Sequence, residues 1–296
     1  MSVKAFLSYL SLEKKYSPHT ITAYSTDIID FKNFCSESYD VSSIDEVSYN
    51  LVRSWIISLV DDSISNRTIN RKIASLKAYY KFLQRIGKIG ANPLSKHRAL
   101  KTSKKLEVPF SEAEMLAALN QITFKEGFEG SRDQLIIELL YTTGIRRAEL
   151  INLKLSDINL TGRTIKVLGK RNKERIVPLL NTTKELFSEY LTERNGLKVV
   201  ADEVHVFLSK SGHKIYETLV YRVINKYLSE VSYKTKKSPH ILRHTFATHL
   251  LNKGADLNSV KELLGHSSLA STQVYTHNSI AELKKVHLAS HPRSKK

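Results

Sequence analysis

Apolar side chains recur every three or four positions in the first part of the chain, which is the spacing of a helix with one buried face. In one segment these positions are Ile21, Tyr24, Ile28, Phe31 and Phe34. Ser17-Pro18 precedes them, and this pair is typical of a helix start because serine caps free N–H groups and proline fits the first turn. The pattern predicts a long amphipathic helix that begins near Pro18.

A second amphipathic helix is predicted to begin at Ser65 or Asn66 and to end before the turn residues Gly87 and Gly90. Its apolar stripe consists of Ile69, Ile73, Leu76, Tyr80 and Leu83. The basic residues between these positions are Arg67, Arg71, Lys72 and Lys77. We expect them to form an exposed basic face.

Apolar residues become rare between His97 and Lys105, where basic residues accumulate instead. Pro109 and the capping sequence Ser111-Glu-Ala-Glu114 then indicate the start of a new helix. These changes predict a helical domain over residues 1–96, a basic linker over 97–108 and a second domain over 109–296. Such a linker is either a solvated tether or a segment that lies against a polyanion shared by both domains.

The second domain has a mixed pattern. Residues 134–142 are apolar and helical in spacing, and Gly144 is a plausible end of that helix. Residues 158–178 alternate instead, with turn residues at Thr161-Gly162 and at 170–173, which predicts a three-stranded antiparallel meander. Helical spacing resumes at Thr183 and continues to the C-terminal segment. The predicted fold class is mainly α in two domains, the second of them α+β.

Composition points to a polyanionic partner. The 296 residues contain 46 Lys and Arg against 29 Asp and Glu, a formal charge of +17. This charge favours nucleic acid, although a merely soluble basic protein or a protein bound to an anionic membrane is compatible with it. The only cysteine, Cys35, excludes an internal disulfide or a cysteine-based metal cage and is expected in the core. Without a recognisable signal peptide or a membrane-spanning run, we expect a cytoplasmic protein.

Ser238-Pro239 is a second serine–proline helix start, which places His240 in a first turn and Arg243 on the same face. The free N–H groups and the positive end of the helix dipole favour a phosphate there. His240 and His244 also have the spacing of a metal pair. However, Ile241 stands where a zinc protease needs glutamate and Arg243 would repel a cation, so we predict no metal. His244 and His249 are interpreted as structural residues.

A further helix is expected from Asp256, as its cap, to Gly265, and His266 follows it directly. Tyr275 comes after a short polar segment. Neither residue is distinctive in isolation. Histidines and an arginine followed by a tyrosine hydroxyl, however, suit nucleophilic attack on a phosphodiester.

Several short motifs together resemble a known family. In chain order they are Thr143-Gly-Ile-Arg-Arg-Ala-Glu-Leu150, Gly169-Lys170, His240-x-x-Arg243, Leu264-Gly-His266 and Tyr275. This is the order seen in tyrosine recombinases, the phage integrase family, and the likeness is strongest to the Xer subgroup of bacterial site-specific recombinases. Residues 16–27 and 67–83 resemble the family's N-terminal core-binding domain, a SAM-like helical domain, so the likeness extends over the whole chain.

The resemblance implies roles for particular residues. The residues that it places around the scissile phosphate are Arg146, Lys170, His240, Arg243 and His266. Tyr275 would be the nucleophile, and Glu149 would support the first arginine. A tyrosine hydroxyl with its ordinary pKa near 10 needs a base, and His240 is the natural one. Two guanidiniums suit the charge that develops on the phosphate, Lys170 suits the general acid, and no cofactor is required.

The sequence departs from the family pattern at one motif. The usual hairpin reads Gly-Lys-Gly, whereas Arg171 follows Lys170 here, and Lys173 and Arg175 are also close. Lys170 is the predicted acid and Lys173 the alternative. The Gly-Ile-Arg order selects Arg146 over Arg147. We expect DNA contacts from six residues: Arg67, Arg71, Lys72, Arg147, Arg171 and Lys173.

For the whole protein, the resemblance implies an enzyme that holds duplex DNA with a specific recombination site between two domains. It would form a 3′-phosphotyrosyl link and exchange strands through a Holliday junction. It would act as a homo- or hetero-tetramer on DNA with a second recombinase. A C-terminal helix over 280–288 would dock on a neighbouring protomer and couple the active sites. The complex would resolve chromosome dimers during cell division, together with a septal DNA translocase. The alternatives are an integrase or invertase of a mobile or phase-variable element, a type IB topoisomerase and a non-catalytic DNA-binding regulator.

Overall fold

The computed structural model of the chain describes residues 2–103, 108–169, 173–234, 236–265 and 277–294. The chain divides into two compact units, Met1–Lys105 and Leu106–Lys296. The location of a linker at 97–108 stays a prediction. Within the described ranges, none of the helices combines the length and the apolar character that crossing a membrane requires.

The N-terminal unit is built from helices. Their bounds are Ser2–Leu12 (α1), Pro18–Tyr39 (α2), Tyr49–Asp61 (α3) and Asn66–Arg85 (α4). Ser17 and Ser65 cap α2 and α4, and each hydroxyl accepts a hydrogen bond of 3.3 Å from the backbone N–H three residues later. The five apolar positions predicted for α4 are all buried. Both predicted helix starts are therefore confirmed.

Lys72 does not belong to the exposed face of α4. Its side chain is 11% exposed, and its ammonium group lies 3.4 Å from the carboxylate of Asp27 and 2.5 Å from that of Asp30. Lys72 is three residues after the buried Ile69 and therefore shares its face of the helix. Asp27 and Asp30, which bind Lys72, belong to α2. The interpretation of Lys72 as a surface residue is wrong.

Asp27 is a buried carboxylate with several donors. It is 1% exposed and accepts hydrogen bonds from Arg71 at 2.5 Å and from the Ser75 hydroxyl at 2.7 Å, in addition to Lys72. We call these four residues together with Asp30 the Asp27 network. It ties α2 to α4 inside the N-terminal unit.

The segment after α4 also packs on that helix. The Asn70 side chain accepts a hydrogen bond from the backbone N–H of Leu100 and donates one to its carbonyl, both at 2.9 Å. Asn66 donates to the carbonyl of Lys101 at 2.8 Å. This part of the predicted basic linker is therefore fixed to the N-terminal unit through its backbone.

The C-terminal unit combines helices with a small sheet. The helices are Glu112–Asn120 (α5), Phe128–Thr143 (α6), Arg147–Ile151 (α7), Asn181–Asn195 (α8), Glu217–Val231 (α9), Pro239–Asn252 (α10), Leu257–Leu264 (α11) and His277–Ser290 (α12). The predicted capping box of Ser111 and Glu114 begins α5. Residues 135–143 of α6 are all buried, so this helix forms the centre of the unit.

The predicted meander is confirmed as a three-stranded antiparallel sheet in the order β1-β2-β3. Its strands are Ile158–Asn159 (β1), Thr164–Leu168 (β2) and Glu174–Pro178 (β3), with Ile165 opposite Val177. Along β3 the side chains of Arg175 and Val177 are buried on one face. The sheet thus directs an arginine into the interior.

The C-terminal helix α12 packs on its own chain. Leu283 is 5% exposed and joins an apolar cluster with Phe246 and Leu250 of α10, and His287 is fully buried. The helix predicted over 280–288 is therefore present. Its docking on a neighbouring protomer stays a prediction.

Candidate functional site

Two helices of the C-terminal unit end at glycines in the left-handed backbone region. Gly144 follows α6 with φ of +60° and Gly265 follows α11 with φ of +64°. A Cβ atom would lie 2.4 Å from Cδ1 of Phe246 at the first position and 3.0 Å from Nη1 of Arg175 at the second. Glycine at both positions lets the two helix ends direct backbone carbonyls toward a common group of arginines.

Arg243 on α10 binds both helix ends. Its Nη1 donates to the carbonyl of Gly144 and its Nη2 to the carbonyl of Leu264, each at 2.6 Å. Burial, together with the positive charges of Arg146 and Arg175, lowers the pKa of Arg243 to about 10, and the carboxylate of Glu149 opposes this shift. The guanidinium is therefore charged at neutral pH and fixed in orientation.

Arg146 is held by Glu149. The residue is the N-cap of α7; its backbone N–H donates to Glu149 Oε2 and its Nη1 to Glu149 Oε1, both at 2.8 Å. Its Nη2 lies 3.3 Å from the carbonyl oxygen of Gly265. The side chain remains 38% exposed, so the guanidinium is fixed on one side and accessible on the other.

Arg175 completes this arrangement from the sheet. Its Nη1 and Nη2 donate to the two carboxylate oxygens of Glu149 at 2.9 and 2.8 Å, and its Nε donates to the carbonyl of Leu263 at 2.9 Å. Both side chains are 4% exposed. Burial would raise the pKa of Glu149, but the hydrogen bonds and charge of Arg175, together with the bonds from Arg146, outweigh it and lower the pKa.

We call Arg146, Arg175, Arg243 and Glu149 the arginine cluster. Arg146 and Arg175 bind the carboxylate of Glu149, and Arg243 interacts with it through charge alone. Three positive charges therefore accompany one negative charge, and two remain unbalanced. Each guanidinium has five N–H donors in a fixed plane and suits the oxygens of a phosphate. The arrangement therefore suits an anion; Arg146 and Arg243 are partly exposed, whereas Arg175 is buried.

Sequence reasoning recognised Arg175 only as a nearby basic residue. The signal that could have revealed its buried position is the alternation of the strand, because Arg175 and Val177 are two residues apart and share a face. A buried arginine needs a partner, and Glu149 was already predicted as a supporting acid.

His240 lies in the first turn of α10, as predicted. Ser238 caps this helix by accepting a hydrogen bond of 3.3 Å from the N–H of Ile241, and the His240 side chain is exposed. Arg243 follows one turn later on the same helix. The structure therefore brings an exposed imidazole to the helix that carries a fixed guanidinium.

His249 has a structural position. Its Nδ1 lies 3.0 Å from the hydroxyl of Tyr141 and its Nε2 donates to the carbonyl of Phe110 at 2.9 Å. Burial is the main cause that lowers the pKa of His249. His244, by contrast, is exposed. Across the ranges that the structure covers, the His, Cys, Asp and Glu side chains form no group suited to a metal ion.

Four predicted residues lie outside the described residues: Lys170, Arg171, His266 and Tyr275. Lys170 and His266 each follow directly after a described glycine that lies beside the cluster, Gly169 and Gly265. A Cβ atom on Gly169 would be 3.5 Å from Nη1 of Arg175 and 3.6 Å from Oε1 of Glu149, and Gly265 contributes its carbonyl to Arg146. Both glycines therefore lie close to Arg175 of the cluster.

The remaining candidates for DNA contacts differ in their surroundings. Arg67 and Lys173 are exposed. Arg147 forms an ion pair of 2.6 Å with Glu217 on α9, and both side chains are more than a third exposed, at 37% and 53%. Arg71 belongs to the Asp27 network with a side chain that is 48% exposed.

Comparison with known proteins covers nearly the whole chain. Residues 114–282 match the model of the phage integrase family, and residues 3–87 match that of the phage integrase N-terminal SAM-like domain. A tyrosine recombinase XerC of Oceanobacillus iheyensis is 40% identical over an alignment of 297 positions that covers 99% of this chain and 96% of that protein. The tyrosine recombinase XerC of Anoxybacillus flavithermus is 39% identical over an alignment of 302 positions that covers 99% of this chain and 98% of that protein.

Solved structures show the same fold. The Tn1549 transposon integrase in complex with transposon right end DNA matches with a TM-score of 0.72 at 21% identity, covering 96% of this chain and 99% of that one. The XerH site-specific recombinase bound to palindromic difH substrate matches with a TM-score of 0.70 at 24% identity, covering 90% of this chain and 78% of that one.

Proposed function

Since the chain belongs to the phage integrase family of tyrosine recombinases, we propose that its arginine cluster binds the scissile phosphate of a recombination site. Similarity to relatives over nearly their whole length identifies the protein as a site-specific tyrosine recombinase of the Xer subgroup, an enzyme of DNA strand exchange. The observation that carries the phosphate proposal is the surplus of guanidiniums around Glu149. Two of the three, Arg146 and Arg243, occupy the motif positions that the family uses.

The hydrogen bonds of Arg243 suit this role. A guanidinium nitrogen of the Nη type has two N–H groups, so each one that donates to a carbonyl retains a second donor. The arginines are thus oriented before the substrate arrives. Donors fixed where negative charge develops stabilise a transition state without reorganisation, an effect of about 3–4 kcal/mol for a single donor.

The proposed reaction has two balanced halves. The Tyr275 hydroxyl transfers its proton to His240 and attacks phosphorus, while the bond from phosphorus to the 5′ oxygen breaks. Lys170, or Lys173 in its place, protonates that oxygen, and His266 donates a hydrogen bond to the phosphate. The 3′-phosphotyrosyl link retains the energy of the broken ester, so a 5′ hydroxyl of the partner strand can reverse the step without a cofactor. Repetition on the second strand pair resolves a Holliday junction.

The proposed assembly is a tetramer on two duplex sites, with a second recombinase or with further copies of this chain. The high positive charge supports a DNA partner, and similarity to tyrosine recombinases named XerC supports membership of the Xer subgroup, for which we propose a role in chromosome dimer resolution. A cytoplasmic location and a septal DNA translocase as partner belong to the same proposal. In such a tetramer α12 would dock on a neighbouring protomer. Arg67, Arg71, Arg147, Arg171 and Lys173 are the proposed contacts to the DNA backbone.

The test is capture of the covalent intermediate. A duplex site recovered by binding genomic fragments to the protein is nicked near the cleavage position, so that a short strand diffuses away after attack. We expect the wild type to accumulate a protein–DNA adduct that resists detergent and that Tyr275→Phe does not form. The absence of an adduct with the wild type on a bound site would overturn the enzymatic proposal.

A further inference from the structure

Three consecutive backbone carbonyls at the end of α11 each accept a hydrogen bond from a different arginine of the cluster. The pairs are Arg175 Nε with Leu263 at 2.9 Å, Arg243 Nη2 with Leu264 at 2.6 Å, and Arg146 Nη2 with Gly265 at 3.3 Å. The last carbonyls of a helix have no partners within it, so the arginines supply donors that this end needs. One turn of backbone therefore connects all three guanidiniums.

Arg175 is the buried member of the three. Its side chain is 4% exposed, whereas that of Arg146 is 38% exposed. Its guanidinium packs directly against the turn, because a Cβ atom on Gly265 would lie 3.0 Å from Nη1 and 3.1 Å from Cδ of Arg175. A side chain buried in this way offers little surface to a DNA duplex. Its contacts are with the groups that orient the other two arginines.

The carboxylate of Glu149 is shared evenly between two arginines. Oε1 accepts from Nη1 of Arg146 and from Nη1 of Arg175, at 2.8 and 2.9 Å. Oε2 accepts from the backbone N–H of Arg146 and from Nη2 of Arg175, both at 2.8 Å. These four bonds use about the full capacity of a carboxylate. Without Arg175, Glu149 would be held only by Arg146, the residue that it orients.

The charge of Arg175 does not explain its presence. Burial lowers the pKa of Arg243, and the positive charges of Arg146 and Arg175 lower it further, so a third guanidinium is unfavourable for its neighbour. Arg146 alone would already balance the charge of Glu149. The property that distinguishes Arg175 is geometric, since one rigid plane carries Nε toward Leu263 and two Nη nitrogens toward Glu149.

We propose that Arg175 is a positioning residue that fixes the guanidiniums of Arg146 and Arg243 relative to each other. This inference rests on the proposed phosphate-binding role of those two arginines. Arg175 holds Glu149, which orients Arg146, and it holds the end of α11, whose next carbonyl orients Arg243. Without it, both guanidiniums would remain but could turn away from the phosphate. Cleavage would slow, whereas the affinity for DNA, which many phosphate contacts share, would be unchanged.

The test uses two substitutions of Arg175 in the full-length protein. Arg175→Met removes the charge and all the donors but retains an unbranched apolar side chain. Arg175→Lys retains the charge but places its donors on a single nitrogen, which cannot span Glu149 and Leu263 together. The lysine variant also keeps a cation beside Glu149, so it tests the inference even where the methionine variant does not fold.

The matched control is Arg194→Met. Arg194 of α8 is also 4% exposed and belongs to the same unit. It donates to backbone carbonyls of Asp202, His205 and Val206 at 2.9 to 3.2 Å. None of these partners belongs to the arginine cluster. The control therefore removes a buried, carbonyl-bound arginine without touching Glu149 or the end of α11.

Two DNA substrates separate positioning from general damage to the fold. One is the ordinary site, and in the other a neutral methylphosphonate replaces the scissile phosphate. The neutral linkage lacks the negative charge and one of the oxygens that oriented guanidiniums stabilise, so their alignment matters less for its cleavage. The rate of covalent complex formation is measured in a single turnover at saturating DNA, beside the Kd for DNA and the melting temperature.

On the ordinary site we expect Arg175→Met to cleave about 10²-fold more slowly per folded molecule, the size of effect that a small misplacement of reacting groups produces, with an unchanged Kd. Arg175→Lys should recover only part of this rate. On the methylphosphonate, the ratio of wild-type to variant rates should fall below about 10 for both variants. Arg194→Met should lose melting temperature and cleave both substrates at the wild-type rate.

Equal rate ratios on the two substrates would overturn the inference, because a merely structural role would slow both alike. A wild-type rate for Arg175→Lys on the ordinary site would do the same, since charge without the fork would then suffice. So would an Arg194→Met protein that slowed cleavage as much as Arg175→Met at an equal loss of melting temperature. A wild type that forms no covalent complex on the ordinary site would instead overturn the proposed function.

Discussion

Each unit of the protein buries one carboxylate between cationic side chains, and the two sites differ in their balance of charge. In the Asp27 network, Arg71 and Lys72 face Asp27 and Asp30, so positive and negative charges are equal in number. In the arginine cluster, three guanidiniums accompany the single carboxylate of Glu149, which binds two of them, while Arg243 binds backbone carbonyls. Both sites contain one buried and one half-exposed cation bound to the central carboxylate.

The difference indicates how to separate a structural ion network from a binding site. A balanced network satisfies itself and ties helices together, as the Asp27 network ties α2 to α4. A surplus of fixed positive charge in a partly buried place is unfavourable until an anion arrives. The surplus of positive charge in the arginine cluster therefore favours the binding of an anion such as a phosphate. Burial or ion pairing alone would not have distinguished this cluster from the Asp27 network.

The largest expected effect comes from removing the carboxylate. Glu149→Gln leaves Arg175 buried without a counter-charge, and breaking a buried pair in this way costs about 3–5 kcal/mol. We expect the C-terminal unit to lose this stability and cleavage to be lost with it. Region-resolved hydrogen exchange on the full-length protein measures the loss. The matched variant Asp27→Asn should destabilise the N-terminal unit. Its folded fraction should still cleave at the normal rate, and slow cleavage by that fraction would contradict the distinction between the two sites.

Removing a guanidinium should separate activity from stability. Arg243→Gln is expected to slow single-turnover cleavage by about 10²–10³-fold, because a donor to the developing charge is lost. Its free energy of unfolding should change little, since the surplus of buried charge is relieved at the same time. Lys72→Met in the balanced network should show the reverse, a loss of stability with normal cleavage at saturating DNA. Similar behaviour of the two variants would remove the distinction between the networks.

Acid should destabilise the C-terminal unit before the N-terminal one. The folded pKa of His287 is about 4, below the 6.5 of an exposed histidine, so the unfolded chain binds a proton in this window and the folded chain does not. Stability is complete above pH 6.5 and falls toward pH 4 by about 1.4 kcal/mol per pH unit, or about 2 kcal/mol by pH 5. His291, whose pKa is also lowered by burial, acts in the same direction.

Hydrogen exchange at pH 7, 6 and 5 measures this loss in the two units separately. His287→Leu should reduce the pH dependence of the C-terminal unit, and the part due to His291 should remain. A wild-type C-terminal unit that remained equally stable at pH 7 and 5 would contradict the assignment of a buried neutral imidazole.

The smallest effect is expected at Arg147. Its pair with Glu217 is exposed, and such pairs contribute about 0.2–1 kcal/mol. Arg147→Gln should leave stability and cleavage at saturating DNA nearly unchanged. If Arg147 contacts a phosphate, the slope of log Kd against log salt should fall by about 1. An unchanged slope would assign Arg147 to the pair with Glu217 alone.

Local patterns were sufficient to predict much of the fold. Serine–proline starts, the capping box at Ser111 and the alternation around Thr161-Gly162 act over a few residues, so their outcome depends little on the rest of the chain. The helix starts at Pro18 and Pro239 and the three-stranded sheet follow from such patterns.

The burial of charged residues could not be predicted as well, because it depends on partners distant in the sequence. Lys72 can be buried because it pairs with Asp27 and Asp30 of another helix. Arg175 can be buried because it pairs with Glu149. The capping of α6 by His287 joins residues separated by more than a hundred positions. In the site, Arg146 and Arg243 were named from motifs, but the carbonyls that orient them follow from tertiary structure.

The bonds from Arg243 to the ends of α6 and α11 have an electrostatic consequence. A helix carries about half a negative elementary charge, spread over its last carbonyls. Two such ends partly neutralise the guanidinium in the free enzyme, as a second carboxylate would. A carboxylate, however, concentrates a full charge and would repel the incoming phosphate, whereas backbone dipoles are weak, divided between two directions and unable to take up a proton. The protein thus stabilises a partly buried cation with acceptors that do not compete with the substrate.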